Sequence, residues 1–302
     1  MDLTQIASAA RAYERGGASE DARLEFFCGL YALEQRHADE APAYAVPDAA
    51  DLTEWYWSGK PVLEQAPVTI EAARFSAIAT EAARYLADHA GLAAPVADAL
   101  RRFDGDGFAA QADLALAGRQ PAAFLEGVLS GQGEPSVPDV LQGPVLGTVL
   151  TATLRALLQP ASEAVCAHVP APRENHNHPL NCPVCGMPAA ASYVGGSAGT
   201  EGAGRRQYCG LCGAQWDFER IRCGCCGTRN QGHLHYFHTE DDPAHRLLTC
   251  DECDGYERVA FEAQLPGHLS MEVEDVVMAP LDGIAHDPRF RAEAASVAEP
   301  AR

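Results

Sequence analysis

Four C-x-x-C pairs constrain this chain more than anything else in it. They are Cys182/Cys185, Cys209/Cys212, Cys223/Cys226 and Cys250/Cys253. Residues 186–208 separate the first two pairs and residues 227–249 the last two, 23 residues in each case. Every cysteine of the first set recurs 41 residues later in the second. The pattern is that of a duplicated unit, one C-x2-C…C-x2-C site used twice. A C-x2-C pair on a tight turn puts two thiolates on one side of the backbone. Two such turns facing each other place four sulfurs at tetrahedral corners, which suits Zn²⁺ or a mononuclear iron. The expected ligands are Cys182, Cys185, Cys209 and Cys212 at site 1, and Cys223, Cys226, Cys250 and Cys253 at site 2. A set of dithiols or disulfides leaves the repeat of all four positions unexplained.

Local residues agree with knuckle turns. Gly186, Gly213 and Gly227 follow their cysteines, where a positive φ turns amide N–H groups toward sulfur. Pro183 stiffens the first knuckle. Strands are expected at 189–194, 206–209, 214–222, 233–238, 246–249 and 255–261, where Tyr208, Trp216, Phe218, Tyr236, Phe237 and Tyr256 suit small sheets around the knuckles. The glycine-rich stretch 195–204 reads as a hairpin tip or flexible loop. So small a glycine-rich module should barely fold without metal, whose binding supplies on the order of 10 kcal/mol per site.

Residues 1–167 read as a helical domain. Leu24, Phe27, Cys28 and Tyr31 share one face, and Ile70, Ala73, Ala77 and Tyr85 are assigned another. Pro121 sits where a helix can start. The most apolar helix is expected from Pro144 to Cys166, packing centrally. Residues 131–138 form a loop. Residues 41–67, with Pro42, Pro47, Pro61 and Pro67, are expected to be irregular, with Trp55, Tyr56 and Trp57 packing onto the helices. A Pro/His linker spans 168–180, the first metal module 181–220 and the second 221–262. The C-terminal segment, 263–302, contains a final helix or extended docking stretch from Met271 to Ile284 and a tail that frays from Ala292.

Charge excludes one common use of tandem C-x2-C pairs. The 302 residues carry 22 Lys+Arg against 42 Asp+Glu, a net charge of -20. No segment is basic, so a nucleic-acid-binding zinc ribbon lacks its electrostatic footprint. The other alternative, a thiol–disulfide oxidoreductase using Cys223/Cys226, calls for a C-x-x-C at a helix N-terminus in a βαβ unit. These pairs are glycine-flanked and repeated instead. No G-x-S-x-G, P-loop or paired catalytic carboxylates stand out, so the chain reads as a non-enzyme. The first residues lack a basic start followed by an apolar run, and Val145–Leu158 is too short and too polar to span a bilayer. A cytoplasmic protein without membrane insertion is expected, and eleven cysteines in such a chain suggest metal ligands more than disulfides.

Cys182-Pro183-Val184-Cys185-Gly186, Cys209-Gly210-Leu211-Cys212-Gly213-Ala214-Gln215-Trp216, Arg220-Ile221-Arg222-Cys223, Cys226-Gly227, and Cys250 to Cys253 with Tyr256 together resemble the formate dehydrogenase accessory protein FdhE family. Val273-Glu274-Asp275-Val276-Val277 with Pro280-Leu281-Asp282 is similar to that family's C-terminal segment. The resemblance implies a helical N-terminal domain followed by two tandem rubredoxin-like or zinc-ribbon-like modules. It implies a non-enzymatic role in making a molybdenum- or tungsten-dependent respiratory formate dehydrogenase active, through contact with its catalytic subunit. It also implies two mononuclear four-thiolate ions, with iron favoured over zinc, although the ligand set accepts both and zinc binds more tightly than ferrous iron. Two departures fall in the second site: an additional thiol in Cys223-Gly224-Cys225-Cys226, and Asp254 where glycine follows the other pairs.

The remaining candidates each have a plain alternative. Cys225 is an alternative ligand or redox thiol, or points away from the metal. Cys28 and Cys166 read as small buried thiols. His168, His176 and His178 are solvated linker residues or a further metal site. His233, His235 and His238 are exposed strand residues or tune the second site. The acidic run 240–242 is a solvated turn. Oligomeric state is left open by the sequence.

Overall fold

A computed structural model describes residues 1–13, 18–130, 138–141, 143–168, 170, 176–196, 203–288 and 290. Most of the 131–138 loop, the glycine-rich tip between 196 and 203, part of the linker and the tail from Ala292 lie outside the described residues. The helical part comprises α1 (Leu3–Ala12), α2 (Ala18–Asp39), α3 (Ala49–Ser58), α4 (Val62–Gln65) and α5 (Ala72–His89). It continues with α6 (Ala94–Arg101), α7 (Gly105–Gln111), α8 (Leu114–Arg119), α9 (Pro121–Leu129) and α10 (Pro144–Cys166). The expected helical class is thus observed, as are the α9 start at Pro121 and the whole of α10.

α10 is buried nearly all round, which its composition requires. It packs on α2 and α5 at the centre of the helical part. Thr148 and Thr153 turn their hydroxyls back onto the carbonyls of Pro144 and Val149, so these threonines add no unmet polar group. Leu24 and Tyr31 of α2 are buried with Phe27 and Cys28 beside them, as their spacing indicates.

Two expectations are corrected. The inward face of α5 is Phe75, Ile78, Ala79, Ala82, Ala83 and Leu86, while Ala73 and Ala77 are exposed. The Ala-rich pattern fits more than one stripe, and the large residues Phe75 and Ile78 choose among them. Residues 41–67 are also more ordered than their prolines suggest. Pro47 precedes the α3 cap and Pro61 is the N-cap of α4, positions where no helical N–H is lost. Gly59, at φ 69°, ends α3.

Six strands follow: β1 (Ala191–Gly196), β2 (Ala203–Tyr208), β3 (Gln215–Phe218), β4 (Leu234–Thr239), β5 (Asp242–Cys250) and β6 (Gly255–Phe261). They form one sheet in the order β3-β2-β1-β6-β5-β4. Each 41-residue repeat supplies three antiparallel strands. The two sets join through the parallel pair β1–β6, with Ser192 opposite Val259 and Val194 opposite Phe261. The C-terminal segment forms α11 (Met271–Val277) and α12 (Ala279–Ala285), two short helices rather than one continuous stretch.

β5 meets α1 and α11 through a buried imidazole. His245 Nδ1 lies 2.8 Å from Asp242, and its Nε2 lies 2.7 Å from Glu274 Oε2. The Tyr13 hydroxyl also donates to Glu274 Oε2, at 2.7 Å. Burial opposes protonation of His245, but the two carboxylates prevail and raise its pKa from 6.5 to about 9. A raised folded-state pKa means that the imidazolium stabilises the fold fully below pH 6.5. That stability is lost as pH rises through 9. Asp242 is half exposed, so the contribution is about 2–3 kcal/mol. Denaturation midpoints between about pH 6 and about pH 10 should fall for the wild type and fall much less for His245→Gln. Parallel curves for the two proteins would count against this assignment.

Candidate metal centres

The eight cysteines expected as ligands come together in two groups of four. Within each group the Sγ atoms all lie within 4.8 Å of one another. Cys182/Cys185 precede β1, and Cys209/Cys212 link β2 to β3. Cys223/Cys226 follow β3, and Cys250/Cys253 join β5 to β6.

All four turns are built alike. The residue after each second cysteine donates its N–H to the first cysteine's carbonyl, at 2.9 Å for Gly186, Gly213 and Asp254 and 3.0 Å for Gly227. The same residues have positive φ: 80° at Gly186, 75° at Gly213, 81° at Gly227 and 58° at Asp254. Three knuckles therefore use glycine as the sequence suggests. The fourth forces an aspartate into the left-handed region, at a cost of about 1–2 kcal/mol.

A tetrahedral ion bound at about 2.3 Å from sulfur needs sulfurs about 3.8 Å apart. Across the second cluster, Cys223–Cys253 and Cys226–Cys250 are both 3.8 Å apart. Across the first, Cys182–Cys212 is 3.5 Å and Cys185–Cys209 is 3.4 Å. Four soft donors at these spacings fit zinc or iron. Backbone N–H groups of Cys225 and Cys226 point at Cys223 Sγ, at 3.3 and 3.5 Å, as donors to a thiolate do.

In the first cluster, burial drives Cys182 and Cys185 well above the usual thiol range. Burial opposes ionisation of Cys212 as well, but hydrogen bonds from Cys182, Cys185 and Cys209 hold it well below that range. In the second, the Cys225 thiol and then the knuckle amides bring Cys223 down to about 4, while burial pushes Cys250 up to about 12. A bound cation would take the place of the protons these sulfurs share.

The two centres differ in setting. All four sulfurs of the first are buried within the same apolar core as α5 and α10. The first knuckle is clamped by α4, whose initial N–H groups have no helical acceptors. Val62 N–H donates to Pro183 O at 2.9 Å and Leu63 N–H to Val184 O at 3.0 Å. The second knuckle is held by Arg155 of α10, whose Nη1 donates to Gly210 O at 2.9 Å. The second centre lies beyond the β1–β6 seam, with Cys226 and Cys253 open to solvent.

Around the second centre, His233 Nδ1 lies 3.0 Å from Glu252 and His235 Nε2 lies 2.9 Å from Asp251. Those acids are the two residues inside the Cys250–Cys253 turn, so these histidines brace the knuckle. His238 instead bonds the Thr239 carbonyl. Arg205, buried, donates to Arg222 O at 2.7 Å just before Cys223 and pairs with Glu257. His178 packs on Tyr56, whose hydroxyl lies 2.7 Å from its Nδ1. Among the described residues, no further group of three or more metal-donor side chains accompanies the two cysteine clusters. Cys28 and Cys166 are half-buried.

Sequence reasoning missed Arg155 and Arg205 as supports of the knuckles. Arg155 gave one usable signal, as the lone charge inside the most apolar segment, Val145–Leu158.

Comparison with known proteins agrees with this arrangement. Residues 181–220 match the family model for the FdhE central domain. Protein FdhE of Escherichia coli (strain K12) is 31% identical over 102 residues, which are 33% of this chain and 31% of that protein. The aligned part thus spans about a third of the E. coli protein's length. The Protein FdhE homolog of Stutzerimonas stutzeri (strain A1501) is 28% identical over 274 residues, 90% of this chain and 81% of that one. The crystal structure of the FdhE protein from Pseudomonas aeruginosa shares the fold. Its TM-score is 0.56 at 20% identity, covering 94% of this chain and 92% of that one. No helix among the described residues is long and apolar enough to cross a membrane.

Proposed function

We propose that the chain is a member of the FdhE family and a cytoplasmic accessory protein required for the activity of a molybdenum- or tungsten-dependent respiratory formate dehydrogenase. It acts without catalysing a reaction of its own, by binding the catalytic subunit of that enzyme. Cys182, Cys185, Cys209 and Cys212 hold one ion, and Cys223, Cys226, Cys250 and Cys253 hold the other. Iron is favoured and zinc is the alternative. In such a ligand set iron supplies a one-electron couple, whereas zinc supplies only a cross-link.

The observation that carries this reading is the pair of four-thiol clusters on the shared fold, one sealed in the core and one reaching the surface. A net charge of -20 argues against a nucleic-acid partner.

Gene deletion in the native host, followed by formate-dependent dye reduction, tests the proposal. Activity should disappear on deletion and return with the wild-type gene. It should not return with Cys182→Ser/Cys185→Ser or with Cys223→Ser/Cys226→Ser. The catalytic subunit should co-purify with the wild-type chain. Undiminished formate dehydrogenase activity in the deletion strain would sink the reading.

A further inference from the structure

The second cluster has a fifth thiol beside it. Cys225 lies within the Cys223–Cys226 turn and is exposed. A Cβ placed on Gly255 would meet Cys225 Sγ at 3.1 Å and Cys253 Sγ at 3.1 Å, so the two sulfurs are separated by no more than twice that distance. Glycine at 255 leaves the space between them clear. The Cys225 N–H donates to Cys223 Sγ at 3.3 Å, and its own thiol donates to Tyr256 O at 3.7 Å, a long and weak bond.

Cys253 is the natural ligand to give way. It is exposed, and its turn is the one closed by a non-glycine residue at φ 58°. The strain at Asp254 works against the geometry that presents Cys253. The first cluster offers no comparable freedom, because its four sulfurs are buried and both its turns close on glycine.

We propose that Cys225 and Cys253 exchange as the fourth ligand of the second cluster, making it an opening site that takes up and releases a thiophilic divalent cation such as Fe²⁺ or Zn²⁺ at the protein surface. One metal–thiolate bond, to Cys253, breaks as another, to Cys225, forms. The proton leaving the Cys225 thiol goes to the Cys253 thiolate, so the site's charge is unchanged and no oxidant or reductant takes part. The first cluster stays closed throughout.

The inference rests on both clusters being metal sites, and Co²⁺ titration of the full-length chain separates the two ideas. The wild type should bind two Co²⁺ with four-thiolate absorption. Cys253→Ser should keep both ions and that absorption, because Cys225 takes the vacated position. Cys225→Ser/Cys253→Ser should lose the four-thiolate signature of one ion, as should the control Cys250→Ser. If Cys253→Ser alone loses as much as the double variant, ligand exchange is wrong while the metal sites stand. If the wild type takes up no Co²⁺, both ideas fall. Cys225→Ala removes the fifth thiol while keeping the backbone N–H that bonds Cys223 Sγ, and gives a second readout. Transfer of Zn²⁺ from its second site to a chelator should slow several-fold relative to wild type, and an unchanged rate would overturn the exchange. None of these measurements depends on formate dehydrogenase.

Discussion

Disrupting the first cysteine cluster is expected to melt the helical part of the protein as well as the sheet. Its sulfurs are buried among the same residues that pack α5 and α10, and α4 is anchored by two hydrogen bonds to the first knuckle's own carbonyls. Metal binding at a four-thiolate site supplies on the order of 10 kcal/mol, against about 5–15 kcal/mol for the stability of a whole domain. Cys182→Ser/Cys185→Ser should therefore lose most helical circular dichroism at 25 °C. The second cluster stands beyond the β1–β6 seam, with two of its cysteines at the surface. Cys250→Ser/Cys253→Ser should keep its helical signal and unfold only β4–β6 locally, seen as faster amide exchange there. Added chelator should follow the same order, stripping the exposed site first and leaving the helices until the buried site empties. Equal helix loss in the two double variants would refute this division of labour.

The features that were legible in the sequence are those set by local spacing. The cysteine pairs were readable because a knuckle closes within five residues and because the whole unit repeats. The strands were readable because aromatic residues flank those knuckles, and α10 because its burial is continuous. The seam between the repeats was not, since the parallel pairing of Ser192 with Val259 depends on how the units dock rather than on either strand's own residues. The inward face of α5 was misassigned because alanine marks a helix without marking its buried side. The histidines of β4 illustrate a third limit. Their alternation was visible, but their partners Asp251 and Glu252 lie across a strand pair whose register no local pattern fixes.

Arg155 shows how much a nonlocal arrangement can hide, and its removal is the second large effect expected. The side chain is almost wholly buried where α2, α10, α11 and the second knuckle meet. It pairs with Glu272 at 3.0 Å and donates to Gly210 O at 2.9 Å, and its guanidinium lies over the rings of Tyr31 and Tyr208. Its Nε also lies 3.3 Å from Glu34, an ion pair without an aligned hydrogen bond. Burial raises the Glu34 pKa to about 8; Arg155 counters that rise and Glu272 adds to it. Arg155→Met would strand Glu272 without its cation, leave the buried Glu34 carboxyl without the charge that counters its raised pKa, and leave Gly210 O without its donor. Breaking a buried pair from one side costs about 3–5 kcal/mol, far more than the pair contributes relative to apolar residues of similar size. Denaturant midpoints should therefore fall sharply for Arg155→Met. Arg155→Lys should recover little, because one ammonium cannot reach Gly210 O and Glu272 in a planar fork while covering two aromatic faces. Glu34→Gln in the Arg155→Met background should restore part of the loss by removing a buried carboxyl that folding must otherwise protonate. A double variant as unstable as the sum of its single variants would show that Glu34 and Arg155 are not energetically coupled. The same substitution should also loosen the Cys209–Cys212 turn, so Arg155→Met should release metal from the buried site faster than wild type, linking the helical part to the first cluster through one side chain.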